Sequence, residues 1–373
     1  MTHHTLQLNH ARAEISCFDT GHEVREYHVM LHAEPAGRTF RQQLDAITSA
    51  FDELCATRLQ GAMPVLKRYF LSDVANQGDS VLQGDSSGCA VSIVGQPPLD
   101  GSKVALWAYL MTDVTARRLP SGLFEVCHGL YRHLWLTSAH GSGQDSESQT
   151  RQAFTEYILQ LSREGCTLAD HCLRTWLFVS AIDVNYAGVV AARNHVFSTQ
   201  GLTDATHFIA STGIGGSAID PRVLMQMDAY AVDGLREDQI HYLYAPTHLN
   251  RTSDYGVSFE RGTYVDYPDR RQVFISGTAS IDARGQIVHP GDVISQTRRM
   301  WENVEALLAE AHCSYDDVSA MIVYLRDIAD YAAVRALYDE RFPGRPVVFV
   351  HAPVCRPGWL VEMECVALKE NKK

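Results

Sequence analysis

The chain has no run of eighteen or more apolar residues, so no segment offers itself as a membrane-spanning helix. Its first ten residues, MTHHTLQLNH, have neither a basic start nor an apolar core, and no secretion signal is expected. The nine cysteines form no Cys-x-x-Cys pair, and their odd number argues against a disulfide framework. A reducing, cytoplasmic setting follows as the expectation. Seventeen histidines are present, yet there is no His-Glu-x-x-His and no close Cys/His cluster, and His3 and His4 sit at a terminus expected to fray. No Gly-Lys-Ser/Thr phosphate loop occurs. No metal and no organic cofactor are therefore expected. A basic stripe is missing as well, and the net charge of -12 would repel a polyanion, so nucleic-acid binding is disfavoured. A small anionic substrate is compatible with that field only where a few arginines make a local positive pocket.

What is present is repetition. At 373 residues the chain is too long for one ordinary core. Near its end, residues 272–280 read as a buried strand. A helix over 295–311 follows, with Ile294, Met300, Val304, Leu307 and Leu308 at near-helical spacing and Ser295 as its N-cap. A strand (318–325), a second helix (331–342, stopped by Pro343-Gly344) and two strands (346–351, 359–368) complete the unit. The middle of the chain repeats the order with strand 130–139, helix 148–165, strand 172–180, helix 186–200 closed by Gly201, and strands 207–212 and 222–232. The first part repeats it more loosely: strand 27–34, helix 39–58, strand 64–71, a degenerate helix 76–83, and strands 89–94 and 103–111. Three matching orders predict an α+β fold of three tandem units (1–112, 122–233 and 240–373), with polar linkers at 112–122 and 233–246.

The third unit resembles the Rid (YjgF-like) family through Phe274-Ile-Ser-Gly-Thr-Ala-Ser-Ile-Asp282, the helix that follows, residues 331–346, and Trp359 to Leu368. Rid proteins are normally homotrimers with sites in the clefts between protomers, so the resemblance implies a covalent pseudo-trimer, itself a monomer or a low-order homo-oligomer. Their imine-deaminase chemistry uses an arginine shortly before the last-strand glutamate. Here that place falls on Val347, and the nearest arginine is Arg345.

The chorismatases, hydrolases of chorismate on the same fold, match further, over roughly residues 170–368. The likeness rests on Val354-Cys-Arg-Pro-Gly-Trp-Leu-Val-Glu362, on Tyr255-Gly-Val-Ser-Phe-Glu-Arg261, on Arg193-Asn-His, and on the run 207–216 with its Ser-Thr-Gly-Ile-Gly-Gly ending. That glycine run reads as a strand-end turn lining the cleft. The resemblance implies a chorismate-converting enzyme of secondary metabolism, of hydrolase or lyase type, releasing pyruvate. Cys355 beside the site points to 3-hydroxybenzoate rather than a dihydroxycyclohexadiene carboxylate as the other product. Glu362 would be the general acid, and a donor to carbon must stay protonated near neutral pH, so burial and the paired Glu364 on the same strand face would raise its pKa. Arg261 and Arg193 would fork the substrate carboxylates from the two sides of a cleft between the second and third units, with Tyr255, Gly277 and Glu364 as further contacts. The equivalents of Glu362 are Gln226 and Ala105, which implies one site per chain. Against these stand plainer readings: a solvated glutamate pair, a helix-surface Arg193, and Cys355 as a small buried hydrophobe. Two other functions compete, a Rid-type enamine or imine deaminase and a non-catalytic accessory ligand-binding protein.

Overall fold

Backbone hydrogen bonding sorts the strands into three mixed sheets of six, each made by the chain order βββαβαββ. The computed structural model describes residues 1–21, 24–59, 61–85 and 87–371. In the first unit the order is β1 (Thr2–Leu8), β2 (Ala11–Phe18), β3 (Glu26–Ala33), α1 (Phe40–Thr57), β4 (Ala62–Leu71), α2 (Val74–Gly84), β5 (Ala90–Gly95) and β6 (Val104–Thr112). The second has β7 (Thr115–Arg118), β8 (Phe124–His128), β9 (Tyr131–His140), α3 (Ser146–Arg163), the one-turn α4 (Leu168–His171), β10 (Cys172–Val179), α5 (Ile182–Thr199), β11 (Ala210–Gly215) and β12 (Met225–Asp233). The third has β13 (Ile240–Leu243), β14 (Gly262–Asp266), β15 (Arg270–Ala279), α6 (Val293–Glu310), β16 (Val318–Leu325), α7 (Tyr331–Arg341), β17 (Val347–His351) and β18 (Val361–Glu370). Each sheet has the same spatial order: the last strand of the unit lies between its third and fourth strands, and the fifth pairs in parallel with the fourth. The three tandem units repeat one α+β fold, as expected. No helix among the described residues is long and apolar enough to cross a membrane.

Several local expectations are corrected. The first two strands of every unit were not among the expected elements: β1 has only exposed and intermediate positions, β7 is mostly exposed and β13 has four residues, whereas β2 is eight residues long and mostly buried. Two of them lie in the stretches expected as linkers. The second sheet accordingly begins at Thr115, not at residue 122, and β13 occupies 240–243. His3 and His4 are not frayed; they lie in β1, and His3 Nδ1 is 2.9 Å from Ser16 Oγ across the hairpin. The cap of α6 is Asp292, which accepts from the Ser295 amide at 3.0 Å, so Ser295 sits inside the first turn. The helix α2 is eleven residues long rather than degenerate. The run from Ser211 to Gly215 is part of strand β11, not a turn. Gly201 does take the left-handed conformation (φ 77°) just after α5.

The helices cover one face of each sheet. The opposite faces meet along a central axis, where Trp107, Trp176 and Ile322 from the three units belong to one buried cluster. Three equivalent bonds close the ring: Gly95 N to Ser217 O (2.8 Å), Gly215 N to Pro353 O (2.9 Å) and His351 N to Pro97 O (2.8 Å). In each, the last residue of a parallel edge strand donates to the loop before the last strand of the next unit. Three junctions follow from this construction.

Candidate functional site

The junction between the second and third units holds a cleft with about 470 Å³ of empty space. Its floor is β18, where Glu362 lies opposite Ala279 of β15 and Tyr324 of β16. Between Ile275 and Thr278 the pairing of β15 with β18 slips, a bulge that brings Gly277 against the acid. A Cβ on Gly277 would stand 2.2 Å from Glu362 Oε1, so any larger residue there would push the carboxyl from its present place. The second unit contributes Tyr186 from α5 and Gly213 from β11, and the two are matched, since a Cβ on Gly213 would meet the Tyr186 ring at 2.9 Å. The third unit adds Tyr255, from a 3₁₀ turn over Thr252–Tyr255, together with Phe259, Arg261, Cys355, Arg356 and Trp359.

Glu362 is only 4% exposed, and no group among the described residues hydrogen-bonds its carboxyl. Burial, reinforced by the neighbouring Glu364 carboxylate, pushes its pKa up to about 8 against the opposing pull of Arg261 and Arg174. The group is therefore largely a neutral acid at pH 7. Cys355 faces the cleft in part, and burial next to Glu362 lifts its thiol to about 12, so it is no nucleophile at neutral pH. Burial likewise raises the Tyr186 and Tyr255 phenols, which stay protonated.

The cations are placed by packing. Arg261 donates from Nε and Nη2 to the Asn250 carbonyl (3.3 and 3.1 Å) and from Nη2 to Asn250 Oδ1 (3.1 Å); its guanidinium lies 5.6 Å from the Tyr255 ring. Arg356 stacks over Tyr255 (4.6 Å) and Trp359 (5.0 Å) and has no carboxylate partner among the described residues. Arg193 is buried on α5 at 5.7 Å from the Phe259 ring, with Nε and Nη2 unpaired; it sits behind the cleft lining rather than in it. Two arginines thus face the cleft and a third backs it, the local positive pocket that an anionic ligand needs in a chain of charge -12.

Among the residues singled out from the sequence, Glu362, Cys355, Arg261, Tyr255 and Gly277 converge on this cleft. Glu364 does not, and its expected substrate contact is corrected. Its side chain, two residues along β18, is held by Arg174 Nη2 (2.7 Å), Trp176 Nε1 (2.7 Å) and the Thr212 hydroxyl in the central axis. Arg193 is moved one layer back, as described. Tyr186 and Arg356 were not singled out. Tyr186 precedes Arg193 by two helical turns and so shares its face of α5, while Arg356 stands inside the Cys-Arg-Pro stretch itself. Elsewhere among the described residues, Cys166, His171 and Asp233 bring three potential metal ligands within 4.8 Å, but Arg132 Nη1 already neutralises Asp233 at 2.9 Å. That group belongs to the second unit and lines no part of the cleft.

Comparison with known proteins bears on the fold. The sequence model of the endoribonuclease L-PSP family matches residues 259–369, which form most of the third unit. A 3-aminoacrylate deaminase RutC of Acinetobacter baylyi is 37% identical over 97 residues, covering 26% of this chain and 77% of that protein. A RutC family protein of Pyrococcus abyssi is 37% identical over 100 residues, covering 26% and 79%. The crystal structure of a chorismatase superposes with a TM-score of 0.65 at 20% identity, over 82% of this chain and 93% of that one. At that identity the likeness speaks for the three-unit fold alone.

Proposed function

Because the chain belongs to the RutC family, and because its three units share the fold of a chorismatase, we propose that it is a chorismate-converting enzyme releasing pyruvate, with Glu362 as general acid. The observation that carries the reading is Glu362 itself: a buried carboxyl with a pKa near 8, beside two arginines that face an otherwise apolar cleft. Chorismate has two carboxylates and an enolpyruvyl ether. Arg261 and Arg356 bind carboxylates as forks, and Arg193 supplies positive potential from behind. Glu362 gives its proton to the terminal enol carbon, which leaves an oxocarbenium ion. Water adds to that cation, and collapse of the hemiketal releases pyruvate and the ring hydroxyl. One water is consumed, giving a dihydroxycyclohexadiene carboxylate. Loss of one water from the ring then gives 3-hydroxybenzoate, the product the reading favours because the protonated Cys355 thiol stands beside the acid. Such a reaction suits a cytoplasmic step of secondary metabolism.

The deaminase reading lacks its arginine. Arg345 donates to the Tyr315 carbonyl and, at 2.7 Å, to Asp316, and it lines no part of the cleft. The test is incubation with chorismate, following pyruvate and ring products by chromatography, alongside 3-aminoacrylate. Pyruvate and 3-hydroxybenzoate from the wild type, lost in Glu362→Gln, support the proposal. Turnover of 3-aminoacrylate without turnover of chorismate overturns it.

A further inference from the structure

A single hydroxyl in the second unit holds both things that surround Glu362 in the third. Thr212, on β11, is buried, and its Oγ1 uses its full hydrogen-bonding capacity. It donates to Glu364 Oε2 and accepts from Arg174 Nη2 (2.5 Å) and from the Gly277 amide (2.9 Å). The first bond, with those from Arg174 and Trp176, fixes the Glu364 carboxylate next to Glu362. The last pins the β15 bulge at the glycine whose missing Cβ makes room for the Glu362 carboxyl. All three donors to Glu364 come from the second unit, so the environment of the acid is assembled across the junction.

We propose that Thr212 is a positioning residue for Glu362, acting through Glu364 and through the Gly277 bulge without touching the substrate. The inference rests on the reading of Glu362 as the acid. The charged and titratable groups that face Glu362 are Glu364 on its own strand, Arg261 before β14, Arg174 on β10, Tyr324 on β16, Cys355 in the loop before β18 and Tyr186 on α5. Of these, Glu364 favours the neutral form of Glu362, whereas Arg261 and Arg174 favour the ionised form. Removing the Thr212 hydroxyl takes a donor from the Glu364 carboxylate and frees the Gly277 bulge, so the negative charge that favours neutral Glu362 is no longer held beside it and Glu362 gives up its proton at lower pH.

The test compares Thr212→Val, which keeps the shape and deletes the hydroxyl, with Thr212→Ser, which restores it. Two readouts are taken on each full-length variant after cooperative unfolding has been verified. One is the infrared band of the protonated Glu362 carboxyl followed against pH without substrate, assigned by its absence in Glu362→Gln. The other is the pH profile of kcat/KM for chorismate. The expected result is a midpoint lower by half a unit or more in Thr212→Val in both readouts, returned to the wild-type position in Thr212→Ser. An unmoved infrared midpoint in Thr212→Val overturns the proposal, whether or not chorismate is turned over. So does a displaced midpoint that Thr212→Ser fails to restore. A displaced and rescued midpoint without chorismate turnover keeps the positioning role and discards the proposed reaction.

Discussion

Glu362 in the third unit and Gln226 in the second occupy equivalent places in their own sheets, the former opposite Tyr324 on β16 and the latter opposite Phe178 on β10, each one residue from the end of the partner strand. Around them the two junctions diverge. The ring-closing bonds align Pro353 with Ser217, and counting on from these, Ile219 stands where Cys355 is and Asp220 where Arg356 is. Counting from the ends of β10 and β4, Gly78 stands where Tyr186 is. Between the first two units Ile219 lies against Gly78, so close that a Cβ there would be 2.4 Å from Ile219 Cγ1, and the Gln226 amide is used up on the Ile93 carbonyl at 2.9 Å. A groove persists at that junction, but Ser72, Asp73, Gly95 and Ser217 line it, not Gln226. The third junction has Ala105 in place of the acid and Asp100 in place of Arg356. One backbone thus makes three junctions, and a handful of side chains selects which of them receives an acid and a pair of arginines.

The comparison breaks most decisively at the acid. Glu362→Gln is expected to lower kcat/KM for chorismate by about 10²–10⁴, the usual contribution of a general acid. Gln226→Met is expected to leave turnover in place while costing roughly 1–3 kcal/mol, because the buried Ile93 carbonyl loses its donor. Steady-state kinetics with urea unfolding measures both, and equal losses of activity would end the idea of a single site.

Stability against pH separates the same two positions. Glu362 titrates near 8 in the folded protein, above its unfolded value, so the folded state holds a proton that the unfolded state releases first. Stability contributed by this group is full below the unfolded pKa and is lost as pH rises towards the folded one, at about 1.4 kcal/mol per unit of displacement. Glu362→Gln should flatten that fall between about pH 5 and 8 in denaturant unfolding, and Gln226→Met should not. Arg356→Asp, which copies the charge at Asp220 and Asp100, is expected to raise KM for chorismate by about 10–100-fold with a smaller change in kcat, since a charge-assisted bond is worth about 1.5–3 kcal/mol. An unchanged KM would remove Arg356 from the carboxylate site.

Most of this architecture was legible because long buried strands and amphipathic helices carry strong periodicity: β10, β16 and β18 read directly, as did the repeat itself. The leading hairpins did not. β7 and β13 are four residues each, and β1 is half-exposed, so their pairing is decided by the neighbouring strand rather than by their own pattern. At the cleft, Glu362 and Arg261 could be named from the motifs that hold them. Glu364 was misassigned for a physical reason. Period two puts it on the same face as Glu362, but which junction-crossing donors reach that face is set by the packing of unit against unit, and Arg174, Trp176 and Thr212 reach Glu364 first. Tyr186 was out of reach in the same way, since nothing local to α5 says which of its residues meets Gly213.

The smallest effect tests whether the junction between the first two units is shut by packing or merely lacks an acid. Gly78 lies inside α2, where alanine would by itself favour the helix by about 1 kcal/mol. Against that, its new methyl would be driven into Ile219, and overpacking of this kind costs about 1–3 kcal/mol. Gly78→Ala should therefore destabilise the protein by about 1 kcal/mol on balance, and adding Ile219→Ala should relieve the clash, so that the double variant is more stable than the sum of the two single changes allows. Urea unfolding of the four proteins measures that coupling. Additive changes would mean that Ile219 moves aside freely, and the difference between the two clefts would then rest on their charges and on the acid rather than on closure.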